Sequence, residues 1–142
     1  MEASVELIQP VVALVIWSLV MWVWMYATRL PAIASMKMKM NPEAPAGTQM
    51  SNLPPRVRWK ADNYNHLMEQ PTIFYAIVFS LAFLDAATGV NIFVSWVYVG
   101  LRVVHSLVQA LTNKIEIRFV IFLFSSISLF ILTFNAVNMA FK

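Results

Sequence analysis

The chain contains no cysteine, which removes disulfides, thiolate metal sites and a cysteine nucleophile from its chemistry. It is also poor in charge. Only 12% of its 142 residues are charged, whereas a soluble domain carries about 25%. Sixty per cent are hydrophobic and the mean hydropathy is +0.68, more apolar surface than one small core can bury, so lipid must cover the remainder. Histidine occurs twice, and two histidines with no accompanying ligand pattern read as ordinary hydrogen-bonding groups; no metal site is expected. The net charge of +3 does not imply nucleic acid, because the basic residues sit beside apolar runs. The first apolar run is long and lacks a basic leader, so it is expected to remain as a membrane helix and not to be cleaved.

What is present is a set of four apolar segments, expected as helices at about 7–28, 56–86, 91–112 and 116–141. In the first, the stretch from Val11 to Ala27 is apolar except for Ser18, and Trp17, Trp22, Trp24 and Tyr26 gather toward its end as an aromatic belt would. Gln9 and Pro10 are expected near its first turns, where a missing N–H costs little. A connector at about 29–58 follows, broken by Pro42, Pro45, Gly47 and the Pro54-Pro55 pair. Its Met36–Met40 run alternates methionine and lysine and is read as part of a solvated basic loop. Asn91 is the expected N-cap of the third segment, and Asn113-Lys114 the tight turn after it. The short second and third connections make neighbouring helices antiparallel, giving an all-α, integral membrane four-helix bundle as a single domain over residues 1–142. Arg29, Lys37, Lys39, Arg56, Arg58, Lys60, Lys114 and Arg118 fall at one end and Lys142 with Glu2, Glu6 and Asp85 at the other. A multi-pass protein with a cytoplasmic basic loop and both termini outside is therefore expected.

The chain is organised around Lys60–Pro71, a polar entrance to the apolar half of segment two. Polar groups at membrane depth are expensive and mark a site. Glu69 lies nine residues in from Lys60, about 13 Å, and Arg102 eleven residues in from Asn113, about 16 Å. His66 and Gln109 lie at about 9 and 6 Å by the same count. Arg102, His105 and Gln109 form one helical stripe, and Asp62, His66 and Glu69 another, with Asn65 four residues before Glu69. A Glu69–Arg102 pair would satisfy two otherwise costly charges, either as an interhelical clamp or as part of a ligand site. Pro71 leaves the Leu67 carbonyl without its helical donor, so a kink or a polar acceptor is expected beside Glu69. Arg118, at the start of segment four, reads either as a snorkelling side chain or as an anion-binding one.

The segment Gly100-Leu-Arg102-Val-Val-His105, with Arg118 sixteen residues beyond Arg102, resembles a signature of the MAPEG family, the membrane-associated proteins in eicosanoid and glutathione metabolism. Asn41-Pro42-Glu43 and the polar entry to helix two ending in Glu69 look like the same family, as a divergent bacterial-type member of an inner membrane. The resemblance implies a homotrimer with glutathione held between subunits on the cytoplasmic side, a lipophilic electrophile as second substrate, and a transferase or peroxidase reaction. Arg118 would be the catalytic residue stabilising the thiolate. His66, Glu69, Arg102 and His105, with Asn65 and Gln109, would surround the tripeptide. The sequence departs from that pattern in specific places. His66 stands for the expected asparagine, Asp62 and Asn65 for helix-two arginines, Gln109 for a tyrosine, and Phe119 and Phe122 for a hydroxyl and a tyrosine. These changes leave an alternative open: a non-catalytic membrane subunit, within a larger complex or binding a lipid or quinone, that keeps the fold.

Overall fold

A computed structural model describes residues 2–142, with the side chains of residues 1–4, Glu2 among them, outside the described set. Among the described residues it has five α-helices, α1 (Glu2–Ser35), α2 (Pro55–Leu67), α3 (Gln70–Phe83), α4 (Gly89–Leu111) and α5 (Ile115–Ala140), and a short 3-10 turn at Met50–Asn52. They form the four expected legs of the bundle, because α2 and α3 are one leg broken at Met68-Glu69. The protein is all-helical. Among the described residues, three helices, α1, α4 and α5, are long and apolar enough to cross a membrane. The broken leg does not qualify: α3 has 14 residues, about 21 Å at ~1.5 Å per residue, less than the ~30 Å hydrocarbon core.

α1 runs 34 residues and begins earlier than expected, so Pro10 lies inside it and not in its first turn. There the ring removes the donor that would meet the Glu6 carbonyl, and Pro31 does the same toward Ala27. Leu7, Val11, Leu14, Ser18, Met21 and Met25 repeat at i, i+4, i+7 and make its buried stripe. Ile16, Leu19, Val23 and Leu30 on the opposite side are exposed, which suits a lipid-facing surface. Phe74, Val78 and Leu81 of α3 complete the core with Tyr98 and Val99 of α4 and Leu129, Leu132 and Ala136 of α5. The Phe74 and Tyr98 rings stack at 4.3 Å.

α4 has its polar side turned inward. Its buried residues include Asn91, Ser95, Tyr98, Arg102, His105, Ser106 and Gln109, while Val90, Phe93, Trp96, Val104 and Leu111 are exposed. A soluble helix shows the reverse arrangement. α4 lies against α1, α2 and α5, so this stripe faces the bundle interior. The turn between α4 and α5 holds Asn113 at φ 52°, as its side chain permits. The N-cap of α4 differs from expectation. Thr88 takes that place, its hydroxyl accepting from the Asn91 N–H at 3.2 Å. The Asn91 side chain serves elsewhere, donating to the Ala86 carbonyl at 2.8 Å and accepting from Asn135 Nδ2 at 2.7 Å. In the connector, Lys37, Lys39, Met36 and Met40 are all exposed.

Candidate functional site

The break in the second leg builds the site. Pro71 lacks the N–H that the Leu67 carbonyl would accept, and α3 restarts with this proline in its first turn. Glu69 sits between the two helices at φ −88°, ψ −97°, neither helical nor extended. The His66 carbonyl, at the end of α2, is reached from α4: Arg102 Nη2 donates to it at 3.0 Å and lies 2.9 Å from His66 Nδ1. Since a guanidinium can only donate, His66 Nδ1 must be the acceptor and Nε2 carries the ring proton. Arg102 is fully buried, and its Nε and Nη1 meet no partner.

His105 is one turn further along α4. Its ring stacks on His66, with centroids 4.8 Å apart and an interplanar angle of 21°, and Phe122 of α5 meets His66 edge-on at 5.6 Å. These rings form the wall of a cleft of about 320 Å³ whose other sides are Arg118, Phe119 and Ile115. Arg118 Nη1 donates to Asn113 Oδ1 at 2.6 Å, while its Nε is without a partner. The cleft therefore joins an anchored guanidinium and a neutral imidazole to an apolar aromatic side. Such a combination can hold a small anion next to a lipophilic molecule. Among the described residues, no three His, Asp or Glu side chains gather as metal ligands.

The expected residues do not all meet. Arg102, His66, His105 and Arg118 come together. The expected Glu69–Arg102 pair is absent, since every Arg102 nitrogen is accounted for by His66 or left without a partner, and Glu69 is exposed at the break. The cause is angular. The inward face of α2 is Lys60, Asn63 and Leu67, all buried, whereas Asp62 and Asn65 lie on its outer face and Glu69 sits exposed at the break beyond it. Gln109 is 3% exposed, with its Oε1 unpartnered inside the bundle, and does not line the cleft. Asn65 belongs to a different cavity, with Asp62, Arg29 and Arg58.

The inward roles of three residues escaped the sequence reading. Asn63 is fully buried, its Oδ1 accepting from Ser106 at 2.9 Å. Lys60 donates to the Arg56 carbonyl at 2.8 Å and the Ala110 carbonyl at 3.3 Å, and sits 5.1 Å from the Trp24 ring centroid. The spacing of Lys60, Asn63 and Leu67 at i, i+3, i+7 was the available signal, since it carries a leucine onto one face. Gln70 was the third such residue. It bridges Tyr98 Oη at 3.3 Å and Ser126 Oγ at 2.9 Å, tying α3 to α4 and α5.

Comparison with curated proteins and with solved structures finds no match. The family model of MAPEG matches residues 7–138, nearly the whole chain. An all-helical bundle with three apolar spans, and a cleft lined by His66, His105 and Arg118 with Arg102 buried behind His66, agree with that match, and this membrane protein belongs to the MAPEG family.

Proposed function

We propose that the protein is a thiol-dependent transferase or peroxidase, with glutathione as its thiol and a lipophilic electrophile as the second substrate. The observation that carries this reading is the cleft that Arg118 and the His66–His105 stack line together with Phe119 and Phe122. Arg118, anchored by Asn113 and with Nε unpartnered, is suited to holding a thiolate as the anion that attacks. His66, held in one tautomer by Arg102, presents a ring N–H as a donor. Ile115, Phe119 and Phe122 would receive the apolar substrate.

Glutathione also has two carboxylates and an ammonium. One chain's cleft offers a single cation, so the fit covers the thiol end and leaves the carboxylates to residues of neighbouring copies. A homotrimer with intersubunit sites open to the cytoplasmic side supplies them. Glu69, exposed three residues from His66, is suited to the ammonium. In conjugation the sulfur–carbon bond forms as the leaving group departs from the electrophile. The test is thiolate absorbance on adding glutathione to purified, folded protein, followed by conjugation of a chlorinated aromatic. Absence of both at millimolar glutathione defeats the proposal.

Gln109 favours a second reading. Its unpartnered Oε1 is buried where the family pattern has a tyrosine, and it has no access to the cleft. A non-catalytic subunit, holding a lipid or quinone or serving a larger complex, would need no such hydroxyl. Isolation from native membranes with a stoichiometric larger partner, and physiological function retained in Arg118→Ala, would decide for it.

A further inference from the structure

The seam between α2 and α4 holds two buried amides whose hydrogen bonding is incomplete in opposite senses. Asn63 is fully buried and Gln109 is 3% exposed. Asn63 Oδ1 accepts from Ser106 at 2.9 Å, but its Nδ2 donates to no group of the protein. Gln109 Oε1 accepts from none. Ser106 and Gln109 are three residues apart on the inward stripe of α4, a spacing that brings Cβ atoms to about 5–6 Å. Ser106 therefore holds the Asn63 amide beside Gln109, with an unused donor on one and an unused acceptor on the other.

Lys60 closes the same seam one turn nearer the basic end. Its Nζ donates to the Arg56 carbonyl and to the carbonyl of Ala110, the residue after Gln109. An ammonium carries three N–H donors, so one is left over. Buried amide groups without partners are rare in native interiors, where ordered water commonly completes them. A buried water needs two to four polar partners, and this seam offers three. Asn63 Nδ2 and Lys60 Nζ can each donate to a lone pair of the water, and Gln109 Oε1 can accept one of its protons. An anion would be opposed by Gln109 Oε1, and a cation by the Lys60 ammonium. We infer that a single water molecule, held by Asn63 Nδ2, Lys60 Nζ and Gln109 Oε1, is a structural part of the α2–α4 seam. None of these three side chains lines the His66 cleft or the cavity of Arg29 and Arg58. The site is independent of thiol chemistry. It gives Gln109 a role inside the bundle and joins α2 to α4 through solvent as well as through direct contacts.

The experiment is solid-state NMR of the full-length protein in phosphatidylcholine vesicles, reading magnetisation transfer from water to labelled asparagine, glutamine and lysine side chains. Asn63 is out of reach of bulk solvent, yet its side-chain amide should receive magnetisation at short mixing times. Gln109→Met removes the acceptor with little change of shape. Transfer to Asn63 should then be lost, and the unfolding midpoint should fall by about 2–4 °C, the loss of roughly one hydrogen bond in a chain of this size. A dry seam predicts the opposite sign, because an apolar side chain in place of an orphaned acceptor is neutral or stabilising. A native Asn63 amide that receives nothing from water overturns the inference, as does a Gln109→Met midpoint that is unchanged or raised. A direct hydrogen bond between the Asn63 and Gln109 amides, read from their nitrogen–carbon distance, overturns it too. If Gln109→Met does not fold, the spectrum of the native chain decides alone.

Discussion

Arg102 Nη2 reaches two atoms of a single residue: Nδ1 of His66 at 2.9 Å and its backbone carbonyl at 3.0 Å. One nitrogen of α4 thus fixes both the ring orientation of His66 and the end of α2. The same arginine is fully buried without a carboxylate partner, so its stabilising role runs through neutral acceptors.

Arg102→Ala should therefore destabilise the bundle by about 2–4 kcal/mol, combining the lost hydrogen bonds to His66 with the cavity left by the side chain. Denaturant titration in mixed micelles measures this. Nitrogen-15 NMR of labelled histidine separates the two roles: His66 in the native chain should show an unprotonated Nδ1, and the variant should show mixed tautomers. A native chain with Nδ1 protonated would contradict the hydrogen-bond assignment.

Pro71→Ala restores a donor for the Leu67 carbonyl. The break at 68–70 should then close toward continuous helix, slowing amide exchange there about tenfold by comparison with the native chain. Unchanged exchange would mean that Arg102 alone keeps the leg open.

Asn113 combines a left-handed backbone with a 2.6 Å tether to Arg118. Asn113→Gly keeps the backbone free of strain and loses the tether, whereas Asn113→Ala loses both and should cost about 1–2 kcal/mol more. Thermal unfolding compares the two. If Arg118 acts on a bound thiolate, both variants should weaken thiolate formation to a similar degree, since they share the lost tether.

At the far end of the bundle, Asn135 donates to Asn91 at 2.7 Å and so joins α5 to α4. A double-mutant cycle of Asn91→Ala and Asn135→Ala should give a coupling of about 0.6–1.7 kcal/mol, the range for hydrogen bonds between membrane helices. A coupling near zero would mean that the contact is not formed in the bilayer.

The helical legs, their short turns and the left-handed Asn113 were legible from hydropathy, length and residue type, because a membrane makes apolar length nearly decisive. Family membership was legible from the spacing of Arg102, His105 and Arg118. The facing of α2 was not. Asp62, His66 and Glu69 satisfied helical spacing, yet the apolar Leu67 and the buried pair Lys60 and Asn63 set the rotation of that helix. Charge suggested that Glu69 would seek Arg102. The break at Pro71 turned Glu69 outward and left the His66 ring and its carbonyl as the nearer acceptors. Capping of α4 failed for a related reason: Asn91 is a good cap by residue type, but a buried contact with Asn135 took its side chain.

The interrupted second leg also bears on how the chain enters a membrane. α3 is too short to cross alone, and α2 carries Arg56, Arg58, Lys60, Asp62 and His66, groups that an insertion machinery reads as unfavourable. Most of the partners that make α2 tolerable reside on α4: Ser106 for Asn63, Arg102 for His66 and the Ala110 carbonyl for Lys60. Those residues are synthesised some forty positions later. The second leg is consequently expected to settle only after α4 has emerged, by late pairing of a weak segment with a strong one.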